Sequence, residues 1–197
     1  MVTEIRKELT EHIIPFWDSL EDKEYGGFYG FMDNDLKLDK GAVKGVILHS
    51  RILWFYSNCY LTLKDEKCLE KAKGCYEFMA KNCVDHENGG VFWAVNADGS
   101  VADDMKHTYC QAFFIYALAS YYDASGDKSA LDLAMDMFRT VEEKCTDEVA
   151  YLEAMSRTWE LVENDALSEN GLMADKTMNT TLHLLEAYTE LYRVHKD

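Results

Sequence analysis

Apolar residues are distributed along this chain in two alternating ways. Residues 3–20 carry Ile5, Leu9, Ile13 and Phe16 at helical spacing with charges between them, which predicts an amphipathic helix. Residues 43–63 are apolar nearly all round (Ile47, Ile52, Leu53, Trp54, Phe55), the pattern of a helix buried on most sides. After Lys64-Asp65, residues 66–83 return to a single apolar stripe with a charged outer face. The alternation then repeats. An all-apolar helix is predicted over 105–123, with Phe113, Phe114, Ile115 and Leu118, and a break at Gly126-Asp127 follows it. A one-striped helix over 128–145 and a last helix over 175–194 complete the pattern. Gly26-Gly27-Phe28-Tyr29-Gly30 and Gly89-Gly90-Val91-Phe92-Trp93 open connections in which short aromatic hairpins are expected. Their turns fall at Asp33-Asn34-Asp35 and Ala97-Asp98-Gly99.

A repeat of 62 residues underlies this alternation. Asp65, Leu69, Ala72, Tyr76, Met79 and Cys83 recur as Asp127, Leu131, Ala134, Phe138, Val141 and Cys145. Tyr60 recurs as Tyr122, and Tyr192 and Asp197 begin a third copy. A unit of this length is a pair of helices that buries its apolar face only by stacking on its neighbours. The fully apolar helices then form an inner ring and the striped ones an outer ring. Three of each make an arc, not a closed ring. The expected domain is residues 1–197, half of such a ring, truncated where the third copy stops one turn into itself at Asp197. An open solenoid with short hairpins is the alternative.

Composition removes several function classes. Pro15 is the one proline, which suits a helical fold. The net charge of -16 argues against a nucleic-acid or anionic-membrane surface, since both need a basic face. The N-terminal MVTEIRKELTEHIIPFW has charges throughout and reads as neither a signal peptide nor a membrane span. Six cysteines without a CxxC pair read as structural thiols in a reducing compartment, so a cytoplasmic location is expected, with zinc or disulfides the alternative. Phosphate-cradling loops, HExxH and Ser or Cys nucleophile motifs are missing, and no cofactor or metal is expected.

The repeat also locates candidate chemistry. Nine residues before Tyr60, Tyr122 and Tyr192 lie Arg51, Phe113 and His183; thirteen before lie Ile47, Tyr109 and Asn179. The two offsets differ by one helical turn, so these residues occupy one face of three equivalent inner helices at adjacent depths. Polar side chains there are costly unless paired or used. Arg51, Tyr109, Asn179 and His183 are therefore expected to converge on a shared pocket, with Arg51 suited to an anion or developing oxyanion. Blander readings exist for each: an ion pair for Arg51, core packing for Tyr109, and a mutual hydrogen bond for Asn179 and His183. His49, His107, Trp93, Glu153, Arg157 and Trp159 are possible groups at the pocket rim.

Several segments give the chain a resemblance to a known family. These are EHIIPFW (11–17), GGFYG (26–30), HSRILWFYSN (49–58), GGVFW (89–93), MKHTY (105–109) and LSENGLMADKTMNTTLHLLEAYTELY (167–192). Across the whole chain it resembles the N-acylglucosamine 2-epimerase superfamily, and within it the bacterial cellobiose 2-epimerases. The resemblance implies the first half of an (α/α)6 barrel, all-α, with three inner and three outer helices and short β-hairpins in the connections. It implies interconversion of sugars at C2: glucose at the reducing end of a β-1,4 disaccharide becomes mannose through ring opening and a cis-enediolate. It assigns Arg51 to the enediolate charge, Tyr109 and Asn179 to the sugar hydroxyls, and His183 to the sugar with a part in ring opening or carbonyl polarisation. The family's general acid and base histidines lie in the second barrel half, so this chain alone is expected to be inactive or nearly so.

Two other readings compete. One is a non-catalytic, self-associating helical scaffold or sugar-binding module, since exposed inner faces seek a partner in a second copy or in the missing half. The other is a glycoside hydrolase, which needs two opposed carboxylates; Asp103, Asp104 and Glu153 are the nearby candidates.

Overall fold

The computed structural model describes residues 1–163 and 174–196. Residues 167–173 of the last family-like segment, and Asp197, lie outside the described residues.

The chain opens with α1 (Val2–Glu8) and α2 (Ile14–Asp18), joined without interruption by a π-helical turn at Leu9–Ile13. Pro15 sits in the first turn of α2. Proline has no N–H to give and its ring crowds the carbonyl four residues back, so the wider turn just before it relieves that defect. Three longer helices are the inner elements: α3 (Val46–Leu63), α5 (Thr108–Ser125) and α7 (Met178–Val194). Between them run α4 (Glu66–Asn82) and α6 (Lys128–Lys144) on the outside. Helix α5 is central, packed by α3 on one side and α7 on the other, and is buried around most of its circumference. The alternation of inner and outer helices inferred from the hydrophobic pattern is thus present, as an arc in the arrangement of half an (α/α)6 barrel. Each inner helix passes to its outer partner through a tight break. Lys64 and Gly126 end α3 and α5 in the left-handed conformation, and the carboxylates of Asp65 and Asp127 then cap α4 and α6.

The connections are stitched by short strands. Strands β1 (Phe31–Met32) and β2 (Leu38–Asp39) form the first hairpin; β3 (Lys44–Gly45) pairs with β4 (Ala94–Val95), which pairs with β5 (Val101–Asp103); β6 (Lys106–His107) pairs with β7 (Ala154–Met155). The strand before each of α3 and α5 therefore joins the connection of the next copy. The second hairpin begins after Trp93, not at Gly89, because Gly89 and Gly90 both take positive φ and form a turn. A Cβ on Gly90 would meet the Trp159 ring at 2.7 Å, so the close approach also requires glycine. The inner helices start at 46, 108 and 178, three residues later than the apolar pattern placed them.

Those three lead-in residues carry a repeated clamp. Lys44, Lys106 and Lys176 each stand two positions ahead of an inner helix. Lys44 Nζ donates to Asp22 at 2.7 Å and to the Gly26 carbonyl at 2.8 Å. Lys106 Nζ donates to Asp85 at 3.0 Å and to the Gly89 carbonyl at 2.9 Å. Lys176 donates to Asp147. In every copy the same aspartate accepts two backbone N–H groups of its own turn. Both ends of the first two clamps are buried. The ammonium groups of Lys44 and Lys106 also lie 4.7 and 4.6 Å from the rings of Phe78 and Phe92. Burial alone would raise the Asp85 carboxyl, but Arg157, Lys106 and the turn donors hold it far below the usual carboxylate range.

His49 and Gln111 occupy equivalent places in α3 and α5. His49 Nε2 accepts the N–H of Phe28 at 3.1 Å while its Nδ1 faces the Gly45 carbonyl at 3.0 Å; Gln111 Oε1 accepts the N–H of Val91 at 2.8 Å. His49 is fully buried, and desolvation pushes its pKa down to about 4. Between about pH 6.5 and 4 the unfolded chain therefore binds the proton and the folded one does not, so stability falls as pH falls through that window. The expected loss is about 3 kcal/mol by pH 4, at about 1.4 kcal/mol per pKa unit. Urea denaturation from pH 7 to 4.5 should show it, and His49→Gln, which copies the second repeat, should flatten this part of the dependence. All six cysteines are buried thiols, with burial pushing Cys59, Cys83 and Cys145 up to about 12.

Candidate functional site

The inward faces of α3, α5 and α7 meet at a cavity of about 580 Å³. Arg51 from α3, Phe113 and Tyr116 from α5, and His183 and Glu186 from α7 line it, with Trp54, Phe55 and Trp17 completing an aromatic wall. The guanidinium of Arg51 lies over the Phe113 ring at 4.7 Å. The Phe113 ring in turn lies 4.8 Å from the imidazole of His183. The three residues nine positions before the repeat's tyrosines are therefore in contact in chain order. Among the described residues Arg51 makes no hydrogen bond or ion pair, so its donor fork is held against an aromatic face and remains available to an anion.

Tyr109 and Asn179 sit one turn nearer the helix N-termini. Tyr109 is buried, and its ring meets His183 edge-on at 4.7 Å and Phe113 at 4.9 Å. It joins the cluster through these rings and is not part of the cavity wall. Asn179 is exposed on α7, one turn before His183, and does not line the cavity either. The structure thus gathers Arg51, Tyr109 and His183, and leaves Asn179 exposed one turn nearer the start of α7. The mutual Asn179–His183 hydrogen bond is absent; the Nδ1 of His183 faces Glu186 Oε2 at 2.7 Å instead.

The rim candidates are occupied in holding the frame. Arg157 forks onto Asp85 at 2.9 and 3.2 Å and reaches Glu87 at 3.0 Å. Trp159 covers Gly90 and donates its Nε1–H to the Asn88 carbonyl at 2.8 Å. Trp93 packs on His107 at 5.3 Å. Glu153 is buried, accepting the N–H of Thr177 at 2.8 Å and the hydroxyl of Thr180 at 2.9 Å. It thereby caps the N-terminus of α7, the helix that carries Asn179 and His183. His107 Nδ1 caps α5 by accepting the N–H of Tyr109, and desolvation lowers its pKa against the opposing charge of Glu153. Asp103 and Asp104 are exposed and away from the cavity wall. Glu186 is the one carboxylate lining the cavity among the described residues, so the opposed pair that glycoside hydrolysis requires is not formed there.

Sequence reasoning stopped one layer short. Six residues before the same three tyrosines stand Trp54, Tyr116 and Glu186. Trp54 and Tyr116 stack at 6.0 Å with an interplanar angle of 17°, and all three line the cavity. The repeat register that revealed the upper two layers contains this third one.

Known proteins share the sequence pattern and the fold. Residues 26–196 match the sequence profile of the N-acylglucosamine 2-epimerase (GlcNAc 2-epimerase) family. The chain is 62% identical over 193 residues to a cellobiose 2-epimerase of Ruminococcus albus, covering 98% of this chain and 50% of that protein. It superposes over 100% of its length on 51% of a sugar epimerase from a ruminal bacterium, with a TM-score of 0.98 and 60% identity. A cellobiose 2-epimerase from Bacillus thermoamylovorans B4167 matches with a TM-score of 0.95 at 46% identity, again over 51% of its length. The chain spans about half the length of the curated relatives it matches.

Proposed function

The chain belongs to the N-acylglucosamine 2-epimerase family, and from that premise we propose that it forms the N-terminal half, residues 1–197, of a sugar 2-epimerase. Its substrate is the reducing-end glucose of a cellobiose-type β-1,4 disaccharide, which it converts to mannose. The observation that carries this reading is Arg51, held over Phe113 in a cavity shared with His183 and, among the described residues, with no acid paired to it. Removing the C2 proton of the opened sugar throws negative charge onto O1 and O2, and a fixed guanidinium fork stabilises that charge as it develops. Tyr109 and Asn179 hold sugar hydroxyls, and His183 contacts the sugar beside Arg51. The aromatic wall of Trp54, Phe55 and Tyr116 supplies apolar surface that excludes water from the enediolate.

The proton-transfer histidines that the resemblance places in the second barrel half have no counterpart assigned in this chain. The 197-residue chain alone is therefore expected to leave C2 unexchanged. Incubation with cellobiose in heavy water, read by deuterium at C2 of the reducing sugar, tests this. Exchange that appears only when the chain is joined to the C-terminal half of the Ruminococcus albus enzyme supports the proposal. Robust exchange by the chain alone defeats the division of labour.

A second reading rests on a separate observation. Met178, Leu182, Leu185 and Tyr192 leave an apolar stripe exposed along α7. In a non-catalytic, self-associating scaffold or sugar-binding module, a second copy covers that stripe. Sedimentation of the chain as a monomer at all concentrations counts against it.

A further inference from the structure

We propose that Glu186 is a positioning residue for His183: it fixes the imidazole in the Nδ1–H tautomer, so that the lone pair of Nε2 is the group His183 offers to the sugar. An ionised carboxylate is acceptor-only, so the 2.7 Å contact between Glu186 Oε2 and His183 Nδ1 requires the hydrogen on Nδ1. In the neutral ring the other nitrogen is then an acceptor. The side chains stand three residues apart on α7, one face of one helix, and both line the cavity with Arg51. In the same layer the other two inner helices carry Trp54 and Tyr116, which stack on each other. Of the three, only α7 carries a carboxylate at this depth.

The pair has little structural reason to exist. Glu186 is half exposed and bonds to no other described residue, and exposed ion pairs contribute little to stability. His183 is already held by Tyr109 edge-on and by Phe113, which fix the ring's place but not its tautomer. The carboxylate supplies the missing constraint, as the third member does wherever a functional imidazole is oriented by an acid. The consequence deepens the epimerase reading and rests on it for the identity of the ligand. His183 accepts a hydrogen bond from a sugar hydroxyl, and the carbonyl oxygen of the opened sugar is left to Arg51, whose five donors cannot accept.

The tautomer is read directly from imidazole nitrogen-15 shifts of the histidine-labelled 197-residue chain at alkaline pH, with His183→Gln identifying the resonance. The expected spectrum has a protonated Nδ1 and an unprotonated Nε2 for His183. Glu186→Gln, whose amide oxygen still accepts, keeps that pattern; Glu186→Ala moves it toward the Nε2–H tautomer that an unpartnered neutral imidazole favours. An Nε2–H ring in the parent chain, or an unchanged tautomer in Glu186→Ala, overturns the proposal. In the chain joined to the Ruminococcus albus C-terminal half, Glu186→Ala should lower kcat for cellobiose about 10²-fold with a small change in KM, and Glu186→Gln should restore most of it. An unchanged kcat in Glu186→Ala overturns the positioning role. An inactive parent fusion overturns the epimerase reading alone, because the nitrogen shifts decide the tautomer without any turnover.

Discussion

Replacing Lys44 with methionine is expected to destabilise the fold by about 3–5 kcal/mol, the cost of leaving a buried charge without its partner. Among the described residues Asp22 has no other cation: its carboxylate faces Lys44 and the N–H groups of Glu24 and Tyr25, at 1% side-chain exposure. Methionine matches the volume of the lysine stem but leaves both that carboxylate and the Gly26 carbonyl short of a donor. The same change at Lys106 should cost less, because Arg157 also grips Asp85. At Lys176 the pair is about one-third exposed on each side, and the change should leave the denaturation midpoint almost where it is. Urea denaturation of the three variants at pH 7 gives the ranking. Equal losses at all three sites contradict the account, since the chemistry is the same and only burial and the extra arginine differ. Removing both partners together, as Asp22→Asn with Lys44→Met, should recover part of the loss.

The second large effect is on chemistry. In the chain joined to the Ruminococcus albus C-terminal half, Arg51→Lys is expected to slow C2-proton exchange about 10²- to 10³-fold. Lysine keeps the charge but loses the planar fork that meets two oxygens at once, and it loses the flat face that lies on Phe113. The exposed position of Arg51 and its lack of an ion pair among the described residues predict a stability change within about 0.5 kcal/mol. Heavy-water exchange, with urea denaturation of the same sample, separates the two quantities. A rate within a few-fold of the parent contradicts the role proposed for Arg51 in holding the enediolate. So does a rate loss that simply tracks unfolding.

Much of this is legible in the sequence alone. Ile47, Ile52, Leu53 and Phe55 marked α3 as an inner helix, and Leu69, Ala72, Tyr76 and Met79 marked α4 as its one-striped partner. Both follow from the helical period and the need to bury apolar surface. The tyrosine anchor placed Arg51, Phe113 and His183 at one depth, and their contacts of 4.7 and 4.8 Å reflect that equivalence. Glu186 was equally within reach of the same offset, but a carboxylate on a helix reads as a solvated face unless the next layer is also counted. The clamps were harder to see. Asp22, Asp85 and Asp147 precede their lysines by 22, 21 and 29 residues, and nothing in hydrophobic periodicity announces a buried cation. The three helix starts came out late for the same reason. The lead-in residues are extended so that the lysine can reach its turn, a requirement set by a group far away in sequence.

Which helices lie inside, which lie outside and which positions face one another are thus properties of the sequence, because they depend on a local period repeated in register. Which polar groups are paired is a property of the fold. His49 and Glu153, both rim candidates by position, hold backbone N–H groups, whereas Arg51 has its donors open among the described residues. Hydrogen bonds act over about 3 Å, and here they join residues as far apart as 72 positions. Only the packed chain brings such groups within that distance, and so only the packed chain separates the side chains that build the cavity from those free to serve it.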